Sequence, residues 1–210
     1  IVVYQRCCRN AGIVNLILPD NTGSTCTQDV PPTSVVECNR SPVFNDFPPT
    51  VICLNDAIEF DHSATDADGD SLAYFFYWPY EGATAVDAAP AIASPPPYLG
   101  VNWAPGFDEL YPITADPAFA INSETGLLTG TATAEGRYVV GVVCKEYRDG
   151  VWLGDHNRDF QFNVVACTPL VDAEIEIGDA IFFELDSTSV FLNCDDYTIY
   201  FENTSLGGDT

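Results

Sequence analysis

Short runs of β-branched and aromatic residues alternate with turn-forming residues along nearly the whole chain, and a helical period is hard to find. The runs predict strands at residues 1–5, 13–18, 51–54, 71–77, 99–103, 119–121, 136–146, 159–165, 173–177, 180–185 and 197–203. Turn signals punctuate them at 19–23, 66–70, 123–126 and Arg148-Asp149-Gly150. From Tyr138 to Cys144 the run is almost wholly apolar, as a central strand buried on both faces requires. Over 159–165, Phe160, Phe162 and Val164 alternate with Gln161, Asn163 and Val165, the period of a half-exposed strand. Many short strands at close spacing make the chain all-β and point to tandem β-sandwiches.

Two proline-rich stretches interrupt the pattern. Phe47-Pro48-Pro49 reads as an extended lead-in, and 89–97 as a polyproline II loop that connects sheets rigidly. A further boundary follows Cys167-Thr168-Pro169, where an acidic β stretch begins with Val171, Asp172, Glu174 and Glu176. The divisions expected are 1–47, 48–168 and 169–210. The start, Ile1-Val2-Val3-Tyr4, reads as strand interior, and the close at 205–210 as a turn awaiting another strand. Both ends therefore read as cuts through a longer polypeptide.

Charge narrows the partners. Seven bases against 31 acids leave −24, and a nucleic-acid surface needs Lys and Arg to replace phosphate counterions. The same balance disfavours an anionic membrane surface, and no apolar run approaches the roughly 18 residues of a membrane span. With 47 % hydrophobic residues the chain can nevertheless bury a core.

The eight cysteines are Cys7, Cys8, Cys26, Cys38, Cys53, Cys144, Cys167 and Cys194. Their even number, wide spacing and lack of any CxxC pair favour disulfides over zinc, and hence an extracellular or cell-surface location. Adjacent Cys7 and Cys8 are expected to tie one strand to two separate places.

The sharpest local chemistry lies in Asp66-Ala67-Asp68-Gly69-Asp70. Carboxylates at alternate positions of a glycine-containing turn converge on a hard cation, and calcium takes six to eight oxygens. The turn lacks the glycine and glutamate positions of an EF-hand, so a further ligand must come from another loop. Asp159 or Asp149 is the candidate. An acidic turn that binds nothing is the plain alternative. No nucleophile, zinc-protease or phosphate-loop signature is present, and His62 and His156 stand outside any recognisable triad. No enzymatic role is expected. Exposed aromatics that stack on sugars would serve a binding role instead. Trp78, Tyr80, Trp103 and Trp152 are the residues to test, with core packing as the competing use.

Several segments together resemble a known family. They are Tyr4-Gln5-Arg6-Cys7-Cys8-Arg9-Asn10, the stretch from Phe60 to Leu72, Thr125-Gly126-Leu127-Leu128-Thr129-Gly130, Tyr138-Val139-Val140-Gly141-Val142, Glu146-Tyr147-Arg148-Asp149-Gly150 and the stretch from Arg158 to Val164. The combination is similar to large Bacteroidetes surface proteins. Those carry Ig-like, cadherin-like and PKD modules and a gliding-motility, type IX secretion sorting domain. The resemblance implies the end of an upstream β domain over 1–47, a cadherin-like or Ig-like sandwich over 48–168 and the first half of a PKD-like sandwich over 169–210. It implies a structural or adhesive extracellular role, with Asp66, Asp68 and Asp70 as calcium ligands. It also implies O-glycosylation at Asp186-Ser187-Thr188, on Ser187. Tyr77 stands where relatives carry a cysteine, and Cys26 and Cys38 are additions. A local Cys26–Cys38 pair is therefore expected, and more weakly a Cys167–Cys194 pair.

The expected function is an extracellular module of a large bacterial surface or filament-forming protein. It associates with other β modules, and with itself through edge strands at 1–5 and 197–203. The alternative is a carbohydrate-binding module, or an appendage of a secreted hydrolase, that binds surface glycans.

Overall fold

A computed structural model describes residues 1–167 and the strand segments 175–177, 181–185, 188–192 and 201–203. The described chain is all-β, with one short 3-10 turn at Pro19–Asn21. In chain order the strands of the first unit are β1 (Val2–Arg6), β2 (Ser24–Gln28), β3 (Val43–Phe44), β4 (Val51–Cys53), β5 (Ala57–Asp61), β6 (Ala64–Thr65), β7 (Ser71–Phe76), β8 (Ala120–Ile121), β9 (Leu127–Thr131), β10 (Gly136–Arg148) and β11 (Val151–Val165). Those of the second are β12 (Ile175–Ile177), β13 (Ile181–Leu185), β14 (Thr188–Leu192) and β15 (Phe201–Asn203).

The hairpin of β10 and β11 is the axis of the first unit. Asp149 and Gly150, with φ of 52° and 79°, form its two-residue turn. Both central residues of a twist-compatible hairpin turn need positive φ, and Asp-Gly supplies them. The ladder runs from Arg148↔Val151 to Gly136↔Val164, with a shift at Glu146/Tyr147. On the far side of β10, β7 pairs antiparallel from Val142↔Phe76 to Tyr147↔Ser71. β11 meets β2 at His156↔Gln28 and β4, in parallel, over 163–165. β1 completes that edge by pairing with β2. A second sheet has the order β5-β9-β8.

The two sheets face each other across one core. Tyr138, Val140, Val142, Phe162 and Val164 of the hairpin pack with Leu128 of β9 and with Ile113, Phe119 and Ala132. Each buried Val, Leu, Ile or Phe of this core contributes about 1.5–3 kcal/mol. The opposite face of β10 is also covered: Val139 packs with Ile13, Leu16 and Val101, and Trp103 leans on that cluster. The apolar run at 138–144 is thus buried on both sides, as its composition requires.

Residues 13–18 and 99–103 are not strands. They make isolated bridges, Ile13↔Arg137, Leu16↔Trp103 and Gly100↔Tyr80. Asn15 is the reason the first segment stays irregular yet buried. Its Nδ2 donates to Pro112 O and Val139 O, each at 2.8 Å, and its Oδ1 accepts the Val139 N–H at 3.0 Å. One side-chain amide thus occupies the β10 edge that β7 does not reach.

The division expected at 47/48 has no counterpart, because β1 and β2 belong to the same sheet as β10 and β11. The chain separates into Ile1–Ala166 and Cys167–Thr210. In the second unit β12 pairs with β15, so residues 201–203 have a partner, and β13 pairs with β14. Ser187 and Cys194 lie outside the described residues.

Candidate cation site at the aspartate turn

Asp66 organises the turn between β6 and β7. Its Oδ1 accepts the backbone N–H of Asp68 at 2.9 Å and of Asp70 at 3.0 Å. Gly69, at φ 83°, supplies the left-handed step that lets both amides point inward. The turn delivers Asp70 to the end of β7, beside Glu146 on β10. Ligand atoms of Asp66, Asp70 and Glu146 lie within 4.8 Å of one another.

Glu146 is 2 % exposed, and its Oε1 accepts from Asn39 Nδ2 at 2.7 Å. Burial pushes its carboxyl up to about 7. The Asn39 hydrogen bond opposes that shift, while Asp70 and Asp66 add to it. Asp70 moves the other way. Arg148 grips both its oxygens, Nε on Oδ1 and Nη2 on Oδ2, each at 2.6 Å, and lowers its pKa. The same guanidinium donates to Cys38 O and Asn39 Oδ1, each at 2.9 Å.

Three of the expected metal ligands are therefore regrouped. Asp66 and Asp70 come together with Glu146. Asp68 turns outward, where its Oδ2 accepts the Arg40 N–H at 2.7 Å and its carboxylate lies near Arg148. Asp159 is elsewhere on the sheet, opposite Gly141, whereas Glu146 is opposite Gly154. It forms an almost wholly buried ion pair with Arg9, whose Nη1 donates to Oδ1 at 2.9 Å. Asp149 is spent on the hairpin turn.

The donor set suits a hard cation: all three groups offer oxygen, and Asp66 Oδ2 is buried with no hydrogen-bond partner. Asp66, Asp70 and Glu146 would hold a divalent ion. The ion would supply charge neutralisation and a rigid tie between the turn and β10.

The cysteines depart from expectation. Cys7 and Cys8 bond to each other across a cis peptide that sets their Cα atoms 3.0 Å apart. The cross-strand tie falls instead to the next residue. Arg9 donates to Gly23 O and Tyr80 O, each at 3.1 Å, besides Asp159. Cys26 and Cys38 are both free and exposed. The chain after β2 carries Cys38 to the aspartate turn, away from Cys26, which lies beside Asp159 and Arg9. Cys144 is free and buried, and burial pushes its thiol up to about 12, so it is an inert core group. Cys53 and Cys167 are disulfide-bonded.

The four candidate sugar-stacking aromatics have different surroundings. Trp103 sits half-buried in the second cluster. Tyr80 is half-buried between Tyr77 and Tyr98, at 5.9 and 5.7 Å. Trp78 and Trp152 are half-exposed, with their Nε1 groups donating to Val101 O and Asp155 Oδ1.

No known protein family, curated protein or solved structure matches the chain.

Proposed function

We propose that this chain is an extracellular structural or adhesive segment of a large bacterial surface or filament-forming protein. Its role is mechanical and involves no chemical step. Calcium at Asp66, Asp70 and Glu146 stiffens the first unit. The observation that carries the cation reading is Asp66 Oδ2, a buried carboxylate oxygen with no partner beside two further carboxylates. The family resemblance and the disulfide-bonded cysteines support the surface reading. β1 is an outer strand of its sheet, with Val2 and Tyr4 exposed, and is the edge at which a neighbouring module or a second copy would add a strand.

Thermal melting with and without calcium tests the cation reading. An ion at about a hundred times its Kd adds about 2.7 kcal/mol. For a unit of this size that raises Tm by about 5–10 °C. Glu146→Gln should remove the rise. A melting curve that chelator and calcium leave unchanged refutes the site.

A further inference from the structure

The β1–β2 ribbon is polar on its covered side and apolar on its open side. Gln5 and Thr25, opposite each other in the register, are 6 % and 1 % exposed, and Gln5 Nε2 donates to Thr25 Oγ1 at 3.0 Å. Residues 81–94 cover that side. Thr25 Oγ1 donates to Glu81 O, and Gln5 Oε1 accepts the Ser94 N–H at 2.9 Å. The other side carries Val2, Tyr4 and Arg6, all exposed, with the exposed Cys26 opposite Tyr4. A half-buried ribbon ordinarily does the reverse, with apolar positions inward and polar ones toward water.

The open side continues the core side of the sheet. Cys26 shares a hollow of about 350 Å³ with Val43, Phe44 and Phe47, and Phe44 packs against the core. Val43 and Phe47 are themselves exposed, so an apolar surface runs from Val2 and Tyr4 past Cys26 to Phe47. The acids beside it are matched: Asp159 is held by Arg9, and Asp46 acts on Arg158. Arg6, at the end of this surface, has no ion pair among the described residues.

The second unit has the complementary character. Every Lys and Arg of the chain lies in residues 1–166, and residues 167–210 hold none. In the β13–β14 ribbon the register sets Phe182 opposite Phe191 and Glu184 opposite Ser189, so by strand alternation these positions share one face. Ile181, Phe183, Val190 and Leu192 belong to the other face. A two-stranded ribbon with apolar positions on both faces needs cover on both. The step from Phe182 to Glu184 matches that from Tyr4 to Arg6: an aromatic residue, then a charge two positions on, of opposite sign. We propose, resting on the self-associating surface role above, that the Phe182–Glu184 face of one copy docks on the Tyr4–Arg6 face of another. Phe182 and Phe191 meet Tyr4 and Val2, and Glu184 meets Arg6. Copies at −24 repel over most of their surface, which favours a contact made where a free base meets a base-free unit. The two surfaces differ, so the contact repeats from copy to copy as an open head-to-tail chain. It uses none of the cation-site residues.

The test is small-angle X-ray scattering over a concentration series of the whole chain, with the fold of each variant checked by circular dichroism. Particle mass should rise with concentration and the particles should be elongated. Tyr4→Ala, Arg6→Glu and Glu184→Arg should each weaken association about tenfold. An equal mixture of Arg6→Glu and Glu184→Arg chains should recover it, because every contact in the mixture can then join opposite charges. A parent chain that stays monomeric at about 1 mM, where even a millimolar contact shows, overturns both the proposal and the self-associating role. Association that Arg6→Glu and Glu184→Arg leave unchanged, or that their mixture fails to recover, overturns this contact alone and leaves the role to another surface. If Glu184→Arg fails to fold, Cys26 decides. Its alkylation should be several-fold slower in concentrated than in dilute parent chain while Cys38 keeps its rate, and an unchanged Cys26 rate overturns the proposal. A calcium-dependent melting shift would leave the cation reading standing through any of those failures.

Discussion

His62 sets a measurable slope on the stability of the first unit. It is 0 % exposed, with its ring 4.6 Å from Phe60 and 5.2 Å from Phe160. Its Nε2 is buried with no partner. Burial draws its pKa down to about 3; Arg158 lowers it further and Asp61 opposes. The unfolded chain takes up this proton near 6.5, the folded one near 3. Between those values the unfolded state holds more protons, so stability is fully present above about 6.5 and falls as pH falls. From pH 7 to pH 5 the loss from this one group is about 2 kcal/mol. Glu146 works against it. Its folded pKa is raised to about 7, so its contribution is present at low pH and is lost as pH rises through 7. The two nearly offset each other in the parent chain, and variants separate them. Urea denaturation at pH 7, 6 and 5 is the assay, at constant ionic strength. In His62→Leu the stability should gain about 2 kcal/mol relative to the parent between pH 7 and pH 5, whatever its absolute level. In Glu146→Gln the fall with acid should be steeper than in the parent. Parallel pH profiles for His62→Leu and the parent would refute the reasoning.

Asn15→Leu should cost about 3–5 kcal/mol in the same denaturation assay, because it strands Val139 N–H, Val139 O and Pro112 O in the core. A cost below about 1 kcal/mol would show that other groups or water serve those atoms. Alkylation of the native chain followed by peptide mass spectrometry should label Cys26 and Cys38, and should reach Cys144 only in denaturant. A peptide linking Cys26 to Cys38 would contradict the structure.

The sequence is most readable where one physical signal dominates. β10 is evident because an apolar run has no other use than burial on both faces, and the Asp-Gly turn after it fixes the hairpin. The early half of β11 is not, since residues 151–158 carry Asp155, His156, Asn157 and Arg158 and no apolar period. They are strand because β10 holds them in register. β2 fails the same way: Ser-Thr-Cys-Thr-Gln has no apolar stripe, and pairing with β1 determines it. Residues 13–18 err in the opposite sense, apolar and buried but tied through a side chain and not through a ladder. At the site, the aspartate turn is a local feature and can be read. Its third carboxylate is not local. Glu146 arrives through the pairing of β10 with β7, and its one trace in the sequence is an acid placed just after a buried apolar strand. Asp159 offers another carboxylate on the same hairpin, and only the register separates the two.

The aspartate turn already contains a cation before any ion binds. Arg148 holds both oxygens of Asp70, approaches Asp68 and reaches back to Cys38 O and Asn39. Asn39 in turn donates to Glu146. The segment at 38–40, the turn at 66–70 and the end of β10 are therefore tied together by one guanidinium and one amide. A divalent ion would add to a site that is organised without it, and would enter where Asp66 Oδ2 has no partner. On the proposed reading, calcium should raise the melting temperature of the unit and not be required for its folding, unlike a small metal-dependent domain that is unfolded without its ion. Breaking the internal tie, as in Arg148→Ala, should lower the melting temperature more than chelation does in the same melting assay. Arg148 also stands at the end of the long hairpin, so its loss frees the 38–40 segment and leaves the carboxylates of Asp66, Asp70 and Glu146 facing one another with no positive charge among them.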